Sequence, residues 1–213
     1  MADVDVRAII PAEATAAAAP LARSHLDDPG MRAFFPEPRI RRKALDQVFG
    51  LTVRDAAPFG HVYAAVEDGR FLGTAAWLPP GAFPPSGLRR SLASAPPLLR
   101  IMRLSPRTVR AFVAFSMAAA KQAKGHRVWF LAGLGVDPRA QRGGVGGRLM
   151  APVLDLADTR DEACWLNTQN EANLAYYQRF GFEVLTGPWR AGAGPQSWTM
   201  VRPAASGDHR NPN

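Results

Sequence analysis

The chain has 213 residues, 47% of them apolar, with one cysteine and a formal net charge of +8. That length supports one well-buried domain without asking for two, and a lone cysteine excludes an intrachain disulfide framework and suits a reducing compartment. The positive excess is mostly arginine, and its clusters (Arg39, Arg41, Arg42 and Lys43; Arg100, Arg103, Arg107 and Arg110) lack the interleaved aromatics of a single-strand binder, so nucleic acid is not the expected partner.

The chain opens MADVDVRAII, with acidic residues and no long apolar run behind a basic patch. It reads as neither a signal peptide nor a membrane span, and a cytoplasmic location is expected. Residues 4–10 are short and β-branched, a strand leading at Pro11-Ala12-Glu13 into an alanine-rich helix that runs to about His25. Asp27-Asp28-Pro29-Gly30 breaks it, and a second helix is predicted over roughly 39–54. Two strands follow, His61–Glu67 and Phe71–Leu78, joined by the hairpin pair Asp68-Gly69. Beyond the loop 79–87, the apolar residues Val109, Phe112, Val113, Met117 and Ala120 recur at helical spacing, and Pro96, Pro97 and Pro106 divide residues 88–124 into two or three helices. This 80–124 insertion reads as cover for a sheet edge, as the wall of an acceptor pocket, or as a dimer face.

Residues 127–149, RVWFLAGLGVDPRAQRGGVGGRL, form an apolar strand, a proline-bearing turn, a glycine-rich loop and a helix start. Gly143, Gly144 and Gly146 let the backbone turn with no Cβ in the way, so several N–H groups point into one space at a helix N-terminus, which attracts anions. The spacing fits neither common phosphate motif. Arg148 and Leu149 stand where a Walker loop needs Lys and Ser/Thr, and Leu149 stands where a dinucleotide fingerprint needs its third glycine. A helix over 145–160 follows, with Leu149, Val153 and Leu156 on one stripe and Pro152 expected to kink it. Strand 164–168, helix 171–179 and strands 182–186 and 196–202 complete a mixed sheet. Cys164, inside ACWL, reads as a buried small hydrophobe, and the tail 204–213 as disordered.

The pattern Q-x-x-G-x-G at Gln141–Gly146, followed by Asn173-Leu174-Ala175-Tyr176-Tyr177-Gln178-Arg179-Phe180-Gly181-Phe182, resembles the GNAT superfamily of acetyltransferases. Residues 127–203 are similar in order to the puromycin N-acetyltransferase-like group, including Pro152, whereas the first 126 residues match only loosely. The resemblance implies a single α/β domain over residues 1–203, with the GNAT-like acyl-CoA N-acyltransferase fold: a splayed mixed β-sheet flanked by helices, acetyl-CoA wedged between the two central strands, and no metal. It implies that Leu134, Gly135 and Val136 offer backbone groups to the pantetheine arm, with the Val136 N–H polarising the thioester carbonyl. Arg142, Gly143, Gly144, Val145, Gly146 and Gly147 would hold the pyrophosphate, Asn173 would bond the pantetheine or orient its helix, and Tyr177 would face the sulfur. Tyr176 is expected to pack against the sheet.

Acyl transfer to an amine needs a neutral amine, a donor for the developing oxyanion and a proton for the departing thiolate. A tyrosine at its ordinary pKa of about 10 can protonate a thiolate of about 8.5. Relatives often carry a carboxylate on the strand before the tyrosine helix, but the matching residue here is Asn167, which cannot take a proton at neutral pH. Deprotonating an alkylamine of pKa about 10.4 costs about 3.7 kcal/mol more than an α-amine of about 7.7. Either the acceptor is a low-pKa amine, or a base comes from the first half, where His25, Asp28 and Glu37 are the candidates. The expected partner is a small-molecule amine, such as an antibiotic, with no membrane role. A homodimer through exposed helices or the last strand is a further expectation. A protein N-terminus or lysine as acceptor, and a non-catalytic acyl-CoA sensor, stand as alternatives.

Overall fold

The computed structural model describes residues 4–84 and 106–206. Much of the expected insertion (85–105) and most of the expected tail (207–213) lie outside them. In chain order the elements are β1 (Asp5–Ala8), α1 (Ala14–Ser24), α2 (Pro29–Phe34), α3 (Pro38–Ala56), β2 (Val62–Glu67), β3 (Arg70–Leu78), α4 (Pro106–Ala123), β4 (Trp129–Val136), α5 (Val145–Thr159), β5 (Cys164–Thr168), α6 (Ala172–Gln178), β6 (Glu183–Trp189) and β7 (Ser197–Arg202). The strands form one mixed sheet in the order β1-β2-β3-β4-β5-β7-β6. Among the described residues, no helix is long and apolar enough to cross a membrane.

Local chemistry accounts for the boundaries. Asp68 and Gly69 both take positive φ (47° and 75°), the geometry of a two-residue hairpin turn that matches strand twist. Asp28 caps α2, its Oδ1 accepting from the Gly30 and Met31 N–H groups at 2.9 and 3.2 Å, with Pro29 at the first helical position. Helix α5 runs through Pro152 without a break. The last strand in sequence, β7, lies inside the sheet between β5 and β6, so both its edges are already paired and it cannot serve as the dimer edge expected above.

Helices α1 and α3 pack on one face of the sheet, burying Leu21, Leu45, Phe49 and Val53, and α5 covers the other face with Leu149, Met150, Val153 and Ala157. Thr74 of β3, fully buried, donates from Oγ1 to the Ala17 carbonyl at 2.7 Å and ties α1 to the sheet. Cys164 is buried as a free thiol, and burial pushes its pKa up to about 12, so it is an inert packing residue.

The pairing of β4 defines the site. Only Trp129, Phe130 and Leu131 pair with β5, in parallel register with Cys164, Trp165 and Leu166. At that point the β3–β4 register slips, Ala76 facing Gly133 and Trp77 facing Leu131, which leaves Ala132 as the extra residue of a bulge. A bulge bends and twists its strand, and β4 continues to Val136 on β3 alone while β5 continues on β7.

Helix α5 must hold its position for the glycine loop before it to keep its shape. Leu149, with no exposed surface, anchors α5 on the sheet. Leu149→Ala is expected to cost about 2–5 kcal/mol, read as a lower urea midpoint with an unchanged slope.

Candidate active site

Two cavities open where β4 and β5 part. One is a groove of about 830 Å³ along the end of β4 to the N-terminus of α5; the other, about 410 Å³, lies between β4, β5, α3 and α4. They share five residues: His25, Asp28, Leu134, Asn173 and Tyr177.

The groove is built mainly from backbone. Asp137 donates its N–H to Leu72 O, so ladder alternation turns the N–H groups of Val136 and Leu134 to the opposite edge, which β5 has left. Gly135 by the same alternation turns its polar groups to Thr74 of β3. Its contribution is therefore the missing side chain, since a Cβ there would overlap Ser24 Oγ. Beyond β4, Gln141 folds back and donates from Nε2 to Val136 O at 3.0 Å, closing the loop. Arg142 and Gly144 both adopt left-handed φ (70° and 73°), and Gly144 is the N-cap of the 15-residue α5. Successive N–H groups of Val145, Gly146 and Gly147 are then left without intrahelical partners, and the helix dipole adds to their pull on an anion. Arg142 and Arg179 also line the groove. Such a cradle fits the pyrophosphate of coenzyme A. Gly143 belongs to the same turn without lining the groove.

Helix α6 closes the groove. Thr168 at the end of β5 accepts from Asn173 Nδ2 and from the Asn170 N–H, both at 3.3 Å, and Asn170 Oδ1 accepts from the Ala172 N–H at 3.1 Å. Asn173 is thus a residue that fixes its helix on β5. Tyr176 packs against the core on the α5 face of the sheet, as expected, and also lines the groove beside Tyr177 and Phe180, and its buried hydroxyl lies against Gly146 with no hydrogen-bond partner. Asn170, Tyr176 and Ser24 are groove residues that the sequence reading left out. A helix whose successive side chains face one strand end and one loop could have pointed to Tyr176.

At the junction, burial acts on two groups in opposite directions. Tyr177 is buried, and desolvation, with Tyr176 and Asp28 nearby, pushes its phenol well above the ordinary value, correcting the expectation that it stays near 10. His25 is held below its ordinary value, burial outweighing the opposing effects of its bond to Leu21 O and of Asp28. Its Nδ1 lies 2.8 Å from Leu21 O and 3.0 Å from Ser24 Oγ, and the ring packs on Phe49 at 4.5 Å. A carbonyl can only accept, so Nδ1 carries the proton and Nε2 keeps the lone pair. Glu37 is exposed at the N-cap of α3 and lines neither cavity, which removes it as a base. Asn167 lines the 410 Å³ cavity, with Oδ1 2.8 Å from Thr199 Oγ1. Among the described residues, no group of His, Cys, Asp and Glu side chains is arranged to hold a metal ion.

The sequence model of the acetyltransferase (GNAT) family matches residues 25–182, from the junction histidine through the glycine loop and past the tyrosine helix to Phe182. The chain belongs to the GNAT acetyltransferase family. Solved GNAT-fold structures agree over nearly the whole length. A Corynebacterium glutamicum protein described as histone acetyltransferase HPA2 and related acetyltransferase is 22% identical, with 96% of this chain and 98% of that one covered and a TM-score of 0.66. The polyamine N-acetyltransferase of Drosophila melanogaster is 16% identical (93% and 99% covered, TM-score 0.62). A PaiA N-acetyltransferase from Thermoplasma acidophilum, in complex with coenzyme A, is 9% identical (94% and 99%, TM-score 0.58). At these identities the likeness establishes the shared fold: a seven-stranded mixed sheet flanked by helices.

Because a Cβ on Gly146 would overlap the Tyr176 hydroxyl, Gly146→Ala is expected to weaken coenzyme A binding about tenfold or more, about 1.4 kcal/mol, by calorimetry. An unaltered affinity in a folded variant would remove the loop from the binding site.

Proposed function

We propose that this chain is an acetyl-CoA-dependent N-acetyltransferase that moves an acetyl group directly onto the primary amine of a small molecule. The observation that carries the reading is the meeting of the two cavities at His25 and Tyr177, a candidate base and a candidate acid on one junction. Acetyl-CoA, when bound, supplies the activated thioester. The residues of the chain do the rest.

The groove holds the pyrophosphate on the N–H groups of residues 142–147 and the pantetheine along β4, and the Val136 N–H is oriented toward the developing oxyanion. His25 Nε2 takes a proton from the incoming ammonium. This assignment favours the supplied-base alternative over a restriction to low-pKa amines, and it places the base on the first half of the chain instead of at Asn167. Tyr177, neutral at physiological pH, donates its proton to the departing sulfur and regains one from the nitrogen of the new amide, and no covalent intermediate with the enzyme is required. The 410 Å³ cavity, of small-molecule size and lined mostly by apolar side chains, favours a small molecule over a protein tail. A kinship with the puromycin N-acetyltransferase-like group, and with it antibiotic inactivation, rests on residues 127–203. A cytoplasmic setting is part of the same reading.

The direct test is release of coenzyme A from acetyl-CoA with puromycin, aminoacyl amides, polyamines, aminoglycosides and short peptides as acceptors. Tyr177→Phe is expected to lower kcat about 10²–10⁴-fold with little change in cofactor affinity; an unchanged rate would remove Tyr177 from the mechanism. His25 has a folded-state pKa below about 6.5, so it is a competent base at neutral pH and loses activity only as pH falls through that lowered value. His25→Gln is expected to lower kcat about 10²-fold or more and to abolish that acid limb. A limb that persists in the variant would assign the base elsewhere.

A further inference from the structure

We infer that the acceptor is a primary monoamine carrying an aryl group, not a polyamine. This rests on the N-acetyltransferase reading and deepens it. Five phenylalanines line the 410 Å³ cavity: Phe49 of α3, Phe112 and Phe115 of α4, Phe130 of β4, and Phe83 after β3. The cavity falls in the range of small-molecule sites, which are apolar with a few placed polar groups.

These rings are held in place by one another and by aromatics behind them. Phe83 stacks on Phe130 with centroids 3.7 Å apart and planes 4° from parallel. Phe115 stacks on Trp189 at 5.5 Å, and Phe34 meets Phe112 and Phe115 edge-on at 5.6 and 5.8 Å. A fixed aromatic wall takes an aryl group with little loss of side-chain freedom on either side.

Charge favours a cation over an anion. Among the described residues, no Lys or Arg lines the cavity, and the two carboxylates that do are Asp28 and Asp55. Asp28 sits at the junction with His25 and Tyr177, where the reacting amine must arrive. Asp55, on the last turn of α3, already has a partner. A second ammonium on the acceptor would have to leave water among phenyl rings, whose faces offset that desolvation only weakly, and compete for Asp55 with the partner it already has. An aryl group entering the same space gains from burial.

The test is coenzyme A release with the full chain, comparing β-phenylethylamine and phenylalanine amide with spermidine and agmatine. The expected result is a kcat/KM about tenfold or more higher for the aryl amines, about the discrimination that a hydrophobic pocket supplies. Equal or higher values for spermidine or agmatine would overturn the inference and leave the N-acetyltransferase reading standing. As a second readout, Phe112→Asn is expected to shrink the ratio of β-phenylethylamine to ethylamine kcat/KM by about fivefold or more, and an unchanged ratio counts against the aryl site. If no amine is acetylated, the functional reading falls. The inference is then decided by calorimetry in the presence of coenzyme A, where β-phenylethylamine must bind more tightly than spermidine.

Discussion

The separation of β4 from β5 after Leu131 and Leu166 is the constraint on which the rest of the molecule turns. A sheet interior does not ordinarily leave strand edges unpaired, because each unmet N–H or carbonyl there carries a desolvation penalty. Here the bulge at Ala132 bends β4 away, and Leu134 and Val136 are left with amides directed into a cleft. The same parting opens the 410 Å³ cavity, so one irregularity in one ladder makes room for both the donor and the acceptor of the proposed transfer.

The helices on the two faces keep that cleft open. Arg23, in the last turn of α1, pairs with Asp137 just past the end of β4 at 2.6 Å, and Thr74 holds the middle of α1 to β3. The next residues, Ser24 and His25, are thereby fixed over the strand that would carry the pantetheine. On the far side, Thr168 ties α6 to β5 and sets Tyr177 opposite. Enclosure then does the electrostatic work at both groups. It disfavours the imidazolium of His25 and the phenolate of Tyr177, leaving each in the neutral form that its proposed role needs.

Much of this was legible in the sequence because it depends on local chemistry. The Asp68-Gly69 turn, the Gly143–Gly147 loop and the apolar stripe of α5 each follow from backbone freedom or periodicity within a few residues. What was not legible depends on pairing across long separations. Nothing in SWTMVR announces that β7 enters between β5 and β6, which takes away the exposed last strand. Glu37 and Asp28 both precede a proline-led helix, yet only Asp28 reaches the junction. Met117, part of the predicted apolar stripe, is 60% exposed even though it lines the cavity, because α4 turns that side to an opening and not to a core. Tyr176 packs on the core as expected, but the meeting of its hydroxyl with Gly146, thirty positions away in the chain, is a long-range contact of the same kind.

The two cavities draw on almost separate sets of residues, with only five in common. The proposed donor groove is framed by the end of β4, the glycine loop and α6, and the walls of the proposed acceptor cavity come from α3 and α4 and from β4 and β5 where they part. Substitutions on those walls can therefore redraw what the cavity admits without touching the cradle proposed to bind the donor. In such an architecture a new acceptor range is accessible through single steps, each starting from a chain whose proposed donor cradle is already in place.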